Sequence, residues 1–121
     1  NLGALCQNDG RLDDAIRHFH AVLRIMPKQT DTMFNLGNAL RQQGHLDDAI
    51  IWFRRAVERD PNEVDFRNNL ATALANQMNY QEAIWHLRRV LANDPNSVEA
   101  HFNLSVILRR IGKIKKAYPL I

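Results

Sequence analysis

With a single cysteine among 121 residues, Cys6 has no partner for an internal disulfide, and this excludes a small secreted scaffold held by cross-links. No apolar run approaches the roughly 18 residues that a membrane-spanning helix needs. No basic segment followed by an apolar one opens this stretch of chain. No stretch alternates apolar and polar residues with period two, so no strand is expected either. Catalytic patterns are also missing. No Cys/His spacing fits zinc, no glycine-rich loop suits a phosphate, and Ser97 and Ser105 have no histidine placed as a base. The expectation is a protein that is not an enzyme and holds no metal or cofactor. The composition itself is ordinary, with 45% hydrophobic and 24% charged residues, which argues against wholesale disorder. The length suits one domain. A formal charge of +3 raises an acidic or nucleic-acid partner as a question.

The strongest signal is internal repetition, which appears when the chain is shifted on itself by 34 residues. Leu2, Leu36, Leu70 and Leu104 fall in one column. Gly3, Gly37, Ala71 and Ser105 form a small column beside it. Ala15, Ala49, Ala83 and Ala117 form an alanine column without exception. Phe19, Phe53, Leu87 and Ile121 form a large apolar one. Pro27, Pro61 and Pro95 close each unit. Cys6 shares its column with Leu40, Leu74 and Leu108, which makes it a small core residue.

Each unit reads as two helices. Met33, Leu36, Gly37 and Leu40 lie three and four apart and give one apolar stripe. Gly44 ends that helix. A second stripe runs from Leu46 through Ala49, Ile50, Phe53, Ala56 and Val57, until Asp60-Pro61-Asn62 stops it. Asn62 with Asp65, Asn79 with Glu82, and Asn96 with Glu99 match the pattern of a helix cap with an acid three residues on. Gly37 and Ala49 are expected to let the paired backbones approach closely, with Leu36, Leu40 and Phe53 filling the sides. One pair cannot bury both apolar faces, so successive pairs stack into a solenoid.

These columns resemble the tetratricopeptide repeat family. The matching residues are Asn35-Leu36-Gly37-Asn38-Ala39, Gly44, Asp48-Ala49-Ile50, Phe53, Ala56 and Asp60-Pro61-Asn62, and the resemblance covers the whole chain. It implies an all-α fold, a right-handed superhelical solenoid of antiparallel helix pairs. Residues 30–63 and 64–97 form complete repeats, with partial ones at 1–29 and 98–121, so a longer array is expected. Met78 departs from the turn glycine of its column. Lys116 replaces the acid of Asp14, Asp48 and Glu82, and Pro119 falls where a second helix should run. The last helix is therefore expected to be short, kinked or frayed.

The resemblance also implies a concave groove lined by the first helices. Asn1, Asn35, Asn69 and Asn103 form an asparagine column along it, similar to the ladders of superhelical peptide-binding arrays. Its amides could clamp the main chain of an extended peptide or could bond neighbouring backbone. Phe34, Asn68 and Phe102 share a groove column suited to an apolar side chain, or pack against the adjacent repeat. Asn38, Arg41 and Gln42 line the second unit, Thr72 and Asn76 the third, Arg109 and Arg110 the fourth. The subtype that grips chaperone tails needs lysines in columns that here hold Asp31, Asp65 and Glu99, and Phe34, Asn68 and Phe102.

On the outer helices, Arg54, Arg55, Arg88 and Arg89 are expected to be solvated, and Ile51 and Trp85 share an exposed column that suits self-association, a partner surface or the capping of a neighbouring helix. The expected function is a non-enzymatic module that binds an extended or helical protein segment in the groove. The alternatives are a self-assembling or spacer array stacked through uncapped ends, or the substrate-recruiting region of a larger enzyme such as a glycosyltransferase. A cytoplasmic location and no direct binding of nucleic acid are expected. The charge is local: Arg109, Arg110, Lys113, Lys115 and Lys116 fall in the last thirteen residues without one acid, while the first 108 hold 11 basic and 13 acidic side chains.

Overall fold

The computed structural model describes residues 2–117, with side chains from 10 to 116, and every element among them is helical. The chain divides into two compact units, residues 1–61 and 62–121. The first holds α1 (Leu2–Ile25), α2 (Thr30–Gln42) and α3 (Leu46–Arg59). The second holds α4 (Val64–Asn76), α5 (Tyr80–Asn93) and α6 (Val98–Ala117).

In the first unit, α2 and α3 form an antiparallel hairpin around a core of Leu36, Ala49, Phe53 and Ala56, each with no exposed surface. The close approach expected between Gly37 and Ala49 takes a different form. A Cβ on Gly37 would lie 2.6 Å from Phe53 Cε1, so the missing side chain is the space the phenyl ring fills. The turn is a Schellman motif. His45 N–H donates to Leu40 O at 2.9 Å and Gly44 N–H to Arg41 O at 3.0 Å, with Gly44 left-handed at φ +88°. At the far end, Thr30 Oγ1 donates to Asp60 Oδ2 at 2.9 Å and ties the start of α2 to the end of α3. Arg59 Nε donates to Lys28 O at 3.1 Å, and Gln43 donates to Asp13 of α1.

The second unit repeats the hairpin with α4 and α5. Its core is Leu70, Ala71, Leu74, Ala83, Leu87 and Val90, none more than 1% exposed. The turn has the same bonds, Asn79 N–H to Leu74 O and Met78 N–H to Ala75 O, both 2.9 Å. Here the left-handed residue is Met78 at φ +66°. A side chain in that region costs about 1–2 kcal/mol. The turn geometry is therefore imposed by the packing of the two helices, and glycine only makes it cheap. α6 packs on α5 and runs beside α4.

Three expectations are corrected. The helix starts do not use Asn62 or Asn96: α4 is preceded by Glu63, and α6 is capped by Ser97, whose Oγ accepts from Ala100 N–H at 3.2 Å. The Asp-Pro-Asn turn consumes the asparagine, with Asn96 N–H bonded back to Asp94 Oδ1 at 3.2 Å. Asn79 does stand at the start of α5 but makes no side-chain cap bond. The end units are not hairpins either. α1 continues through Gly10 and α6 through Gly112, columns in which the middle units turn. A glycine inside a helix costs about 1 kcal/mol. Folding Leu2–Asn8 back as a separate helix would require a second costly nucleation. Of the four side chains described after Gly112, Lys113, Lys115 and Lys116 are exposed and Ile114 is half-buried. The large apolar column that seals each hairpin reaches Ile121, which lies outside the described residues. So do Pro119, the side chain of Cys6, and Asn1.

Candidate functional site

The asparagine column is not uniform. Asn35 is exposed on α2, while Asn69 and Asn103 are half-buried on α4 and α6. Asn69 spends a donor on its own helix, with Nδ2 2.8 Å from Asp65 O. Asn103 instead lines a cleft between α4 and α6, together with Thr72, Ala75, Asn76, Phe102, Val106, Ile107 and Arg110. The cleft encloses about 180 Å³, which is enough for one side chain of a ligand. Phe102 is 65% exposed at its mouth. Thr72 Oγ1 donates to Asn68 O at 3.0 Å, which uses its proton and leaves the hydroxyl oxygen as an acceptor.

In the first unit the same columns are used for packing. The Phe34 ring is half-buried and lies 5.9 Å from Phe53, tilted by 49°. The Arg41 guanidinium lies 5.8 Å from the Phe53 ring and donates to Asn38 Oδ1 at 3.2 Å. Arg109 is exposed on α6. Asn68 sits away from solvent at 1% exposure, and neither its Nδ2 nor its Oδ1 has a hydrogen-bond partner among the described residues.

A polar cluster that the repeat columns conceal lies in the second hairpin. Arg67 and His86, 6% and 7% exposed, occupy columns that hold Met33 and Trp52 in the first hairpin. Arg67 Nη1 lies 3.0 Å from His86 Nδ1. A guanidinium only donates, so Nδ1 accepts and the ring proton sits on Nε2, which faces Glu82 Oε2 at 3.7 Å. Burial pulls the Arg67 guanidinium below its usual pKa, and Arg89 nearby adds to the effect. Trp85 covers this pair. Its ring packs edge-on to His86 at 4.9 Å, with Arg67 and Arg89 at 5.7 and 5.4 Å from its centre. Trp85 nonetheless remains 53% exposed, and Ile51 of the same column 47%. In the sequence these columns are mixed, with His18, Trp52 and His86 in one and Met33, Arg67 and His101 in the other, so they gave no sign of a buried pair.

The remaining titratable groups are dispersed. Among the described residues no three His, Cys, Asp or Glu side chains gather as metal ligands, and no helix is long and apolar enough to cross a membrane. His20 stacks edge-on to Trp52 at 5.8 Å, and His101 Nε2 bonds Pro95 O at 2.8 Å.

Comparison with known proteins bears on this arrangement. A model of the tetratricopeptide repeat matches residues 1–62, and a second matches residues 52–84 and 86–118. No curated protein matches the chain. Among solved structures, the crystal structure of MamA is similar with a TM-score of 0.79 and 26% identity, over 97% of this chain and 68% of that one. A further crystal structure of MamA protein gives 0.75 and 26%, over 95% of this chain and 63% of that one. The chain thus spans about two thirds of the length of these neighbours.

Proposed function

We propose that this chain, which belongs to the tetratricopeptide repeat family, is a non-enzymatic module that holds an extended or helical peptide segment along the first helices of its repeats. Repeats of this family support a protein-interaction scaffold. The observation that carries the finer reading is the α4–α6 cleft. It sets two amides, Asn76 and Asn103, beside the exposed Phe102 and the small Ala75. Amides offer donors and an acceptor to a peptide main chain, and the apolar wall takes a side chain. Asn69, one repeat before Asn103, extends the same polar column on α4.

The test is selection of random 12-residue peptides displayed on phage against the whole chain, followed by affinity measurement on Asn69→Ala/Asn103→Ala. The expected result is a loss of tenfold or more with a melting temperature nearly unchanged. Peptides that bind the variant equally well contradict the groove. A second reading, self-association, is favoured by the exposed Ile51 and Trp85. It predicts that Trp85→Ala lowers the mass measured by light scattering across a concentration series. A strict monomer at high concentration contradicts it.

A further inference from the structure

The far half of α6 carries Arg109, Lys113 and Lys116 four and three residues apart, so the three share one face, and all are exposed. Phe102, seven residues before Arg109, lies on that same face, and Arg110 lines the cleft itself. None of these cations forms an ion pair among the described residues. The basic stripe therefore continues the groove described above toward the C-terminal end of α6. We propose that this groove takes an acidic peptide, with an apolar side chain in the α4–α6 cleft and carboxylates on the Arg109–Lys113–Lys116 stripe. The inference rests on the groove reading.

Spacing supports it. Four residues of helix rise about 6 Å. Two residues of extended chain rise about 6.6 Å. Acids at alternate positions of an extended segment therefore meet successive cations along α6. The polarity of the groove selects against a uniform polyanion. Asp65 and Glu99 are exposed in the first turns of α4 and α6, at the opposite end from the stripe. From Glu99 to Lys116 the helix rises about 25 Å. That is about three screening lengths at physiological salt, so the two ends act separately. A nucleic acid lying along the groove would meet repulsion at one end, whereas a peptide acidic at one end would not. A lipid surface fits less well, because Leu108 alone among the apolar residues described in this half of α6 is exposed. Ile107 is buried, and Ile111 and Ile114 are half-buried in a cavity shared with Tyr80 and Ile84 of α5.

The same phage selection tests this through the composition of the peptides recovered and through two variants of the whole chain. The expected pool is enriched in Asp and Glu at alternate positions. Its members should lose tenfold or more in affinity for Arg109→Glu/Lys113→Glu/Lys116→Glu, and bind more weakly at 300 mM than at 50 mM salt. These side chains are exposed, and an unchanged circular dichroism melt confirms that the variant folds. A pool without acidic excess, lost on Phe102→Ala/Asn103→Ala but kept by the charge-reversed variant, overturns the acidic class and leaves the groove standing. Acidic peptides lost on charge reversal but untouched by Phe102→Ala/Asn103→Ala overturn the groove. Phosphatidylserine vesicles or a 20-nucleotide single-stranded DNA that displace the selected peptides and bind more tightly overturn the peptide in favour of that ligand.

Discussion

The α2–α3 and α4–α5 hairpins have the same turn, the same hydrogen bonds and the same alanine column, yet different side chains fill them. The first packs Phe53 against Gly37, and in the second the same columns hold Ala71 and Leu87, both fully buried. The bulk removed from one helix is returned on the other, so the volume between the helices is held while its ownership changes. The first turns on Gly44, the second on a strained Met78. The first places Met33 and Trp52 where the second buries Arg67 against His86. The repeat fold is thus a constraint on pairs of positions. A column read one residue at a time shows what is common and hides what is exchanged.

Truncating the large member of each core pair should separate the hairpins most. Phe53→Ala is expected to cost about 3–5 kcal/mol and Leu87→Ala about 2–5, with the phenylalanine variant the worse of the two, by urea unfolding. Gly37→Ala should cost about 1–3 kcal/mol, because its Cβ would strike the Phe53 ring. The double variant Gly37→Ala/Phe53→Leu imports the partner hairpin's solution. It should therefore cost less than the two single changes added together. Strict additivity would break the account of exchanged volume.

The polar pair gives the next effect. Arg67→Met, which supplies the residue of the first hairpin, leaves the His86 Nδ1 buried without its donor and should cost about 1–3 kcal/mol. Adding His86→Leu removes the orphaned acceptor and should restore most of that loss. The smallest effect is at the turns. Met78→Gly should stabilise by about 1 kcal/mol, and Gly44→Met should destabilise by a similar amount, both read from the urea midpoint at constant slope. Equal and negligible changes at the two positions would mean that the left-handed geometry carries no strain.

Much of the fold was legible because the signals are local or periodic. The 34-residue columns located α2, α3, α4 and α5 to within a residue or two, since apolar stripes and Asp-Pro turns act over a few residues. The column of Gly44 pointed to Met78 as a turn position. Other features were not legible for physical reasons. Whether a helix turns at Gly10 or Gly112 depends on what surface the following segment can bury, and glycine permits both outcomes. Ser97 against Asn96 as the cap of α6 is a difference of one residue, settled by the proline turn before it. Burial of Arg67 and Asn68 contradicts their residue types and depends on neighbours far along the chain. Within the candidate groove, Phe102 and Asn103 could be named from their columns. That they meet Asn76 and Ala75 around one cleft required the packing of α6 beside α4.

The central claim is that a peptide occupies the α4–α6 groove, and an ¹⁵N–¹H correlation titration of the whole chain with a selected acidic peptide tests it most directly. The account predicts shifts concentrated at the Asn76 and Asn103 side-chain amides and at the backbone from Phe102 to Lys116, with the Trp85 indole unmoved. Shifts that centre on Trp85 and the outer face of α5, with Asn76 and Asn103 unmoved, would contradict it.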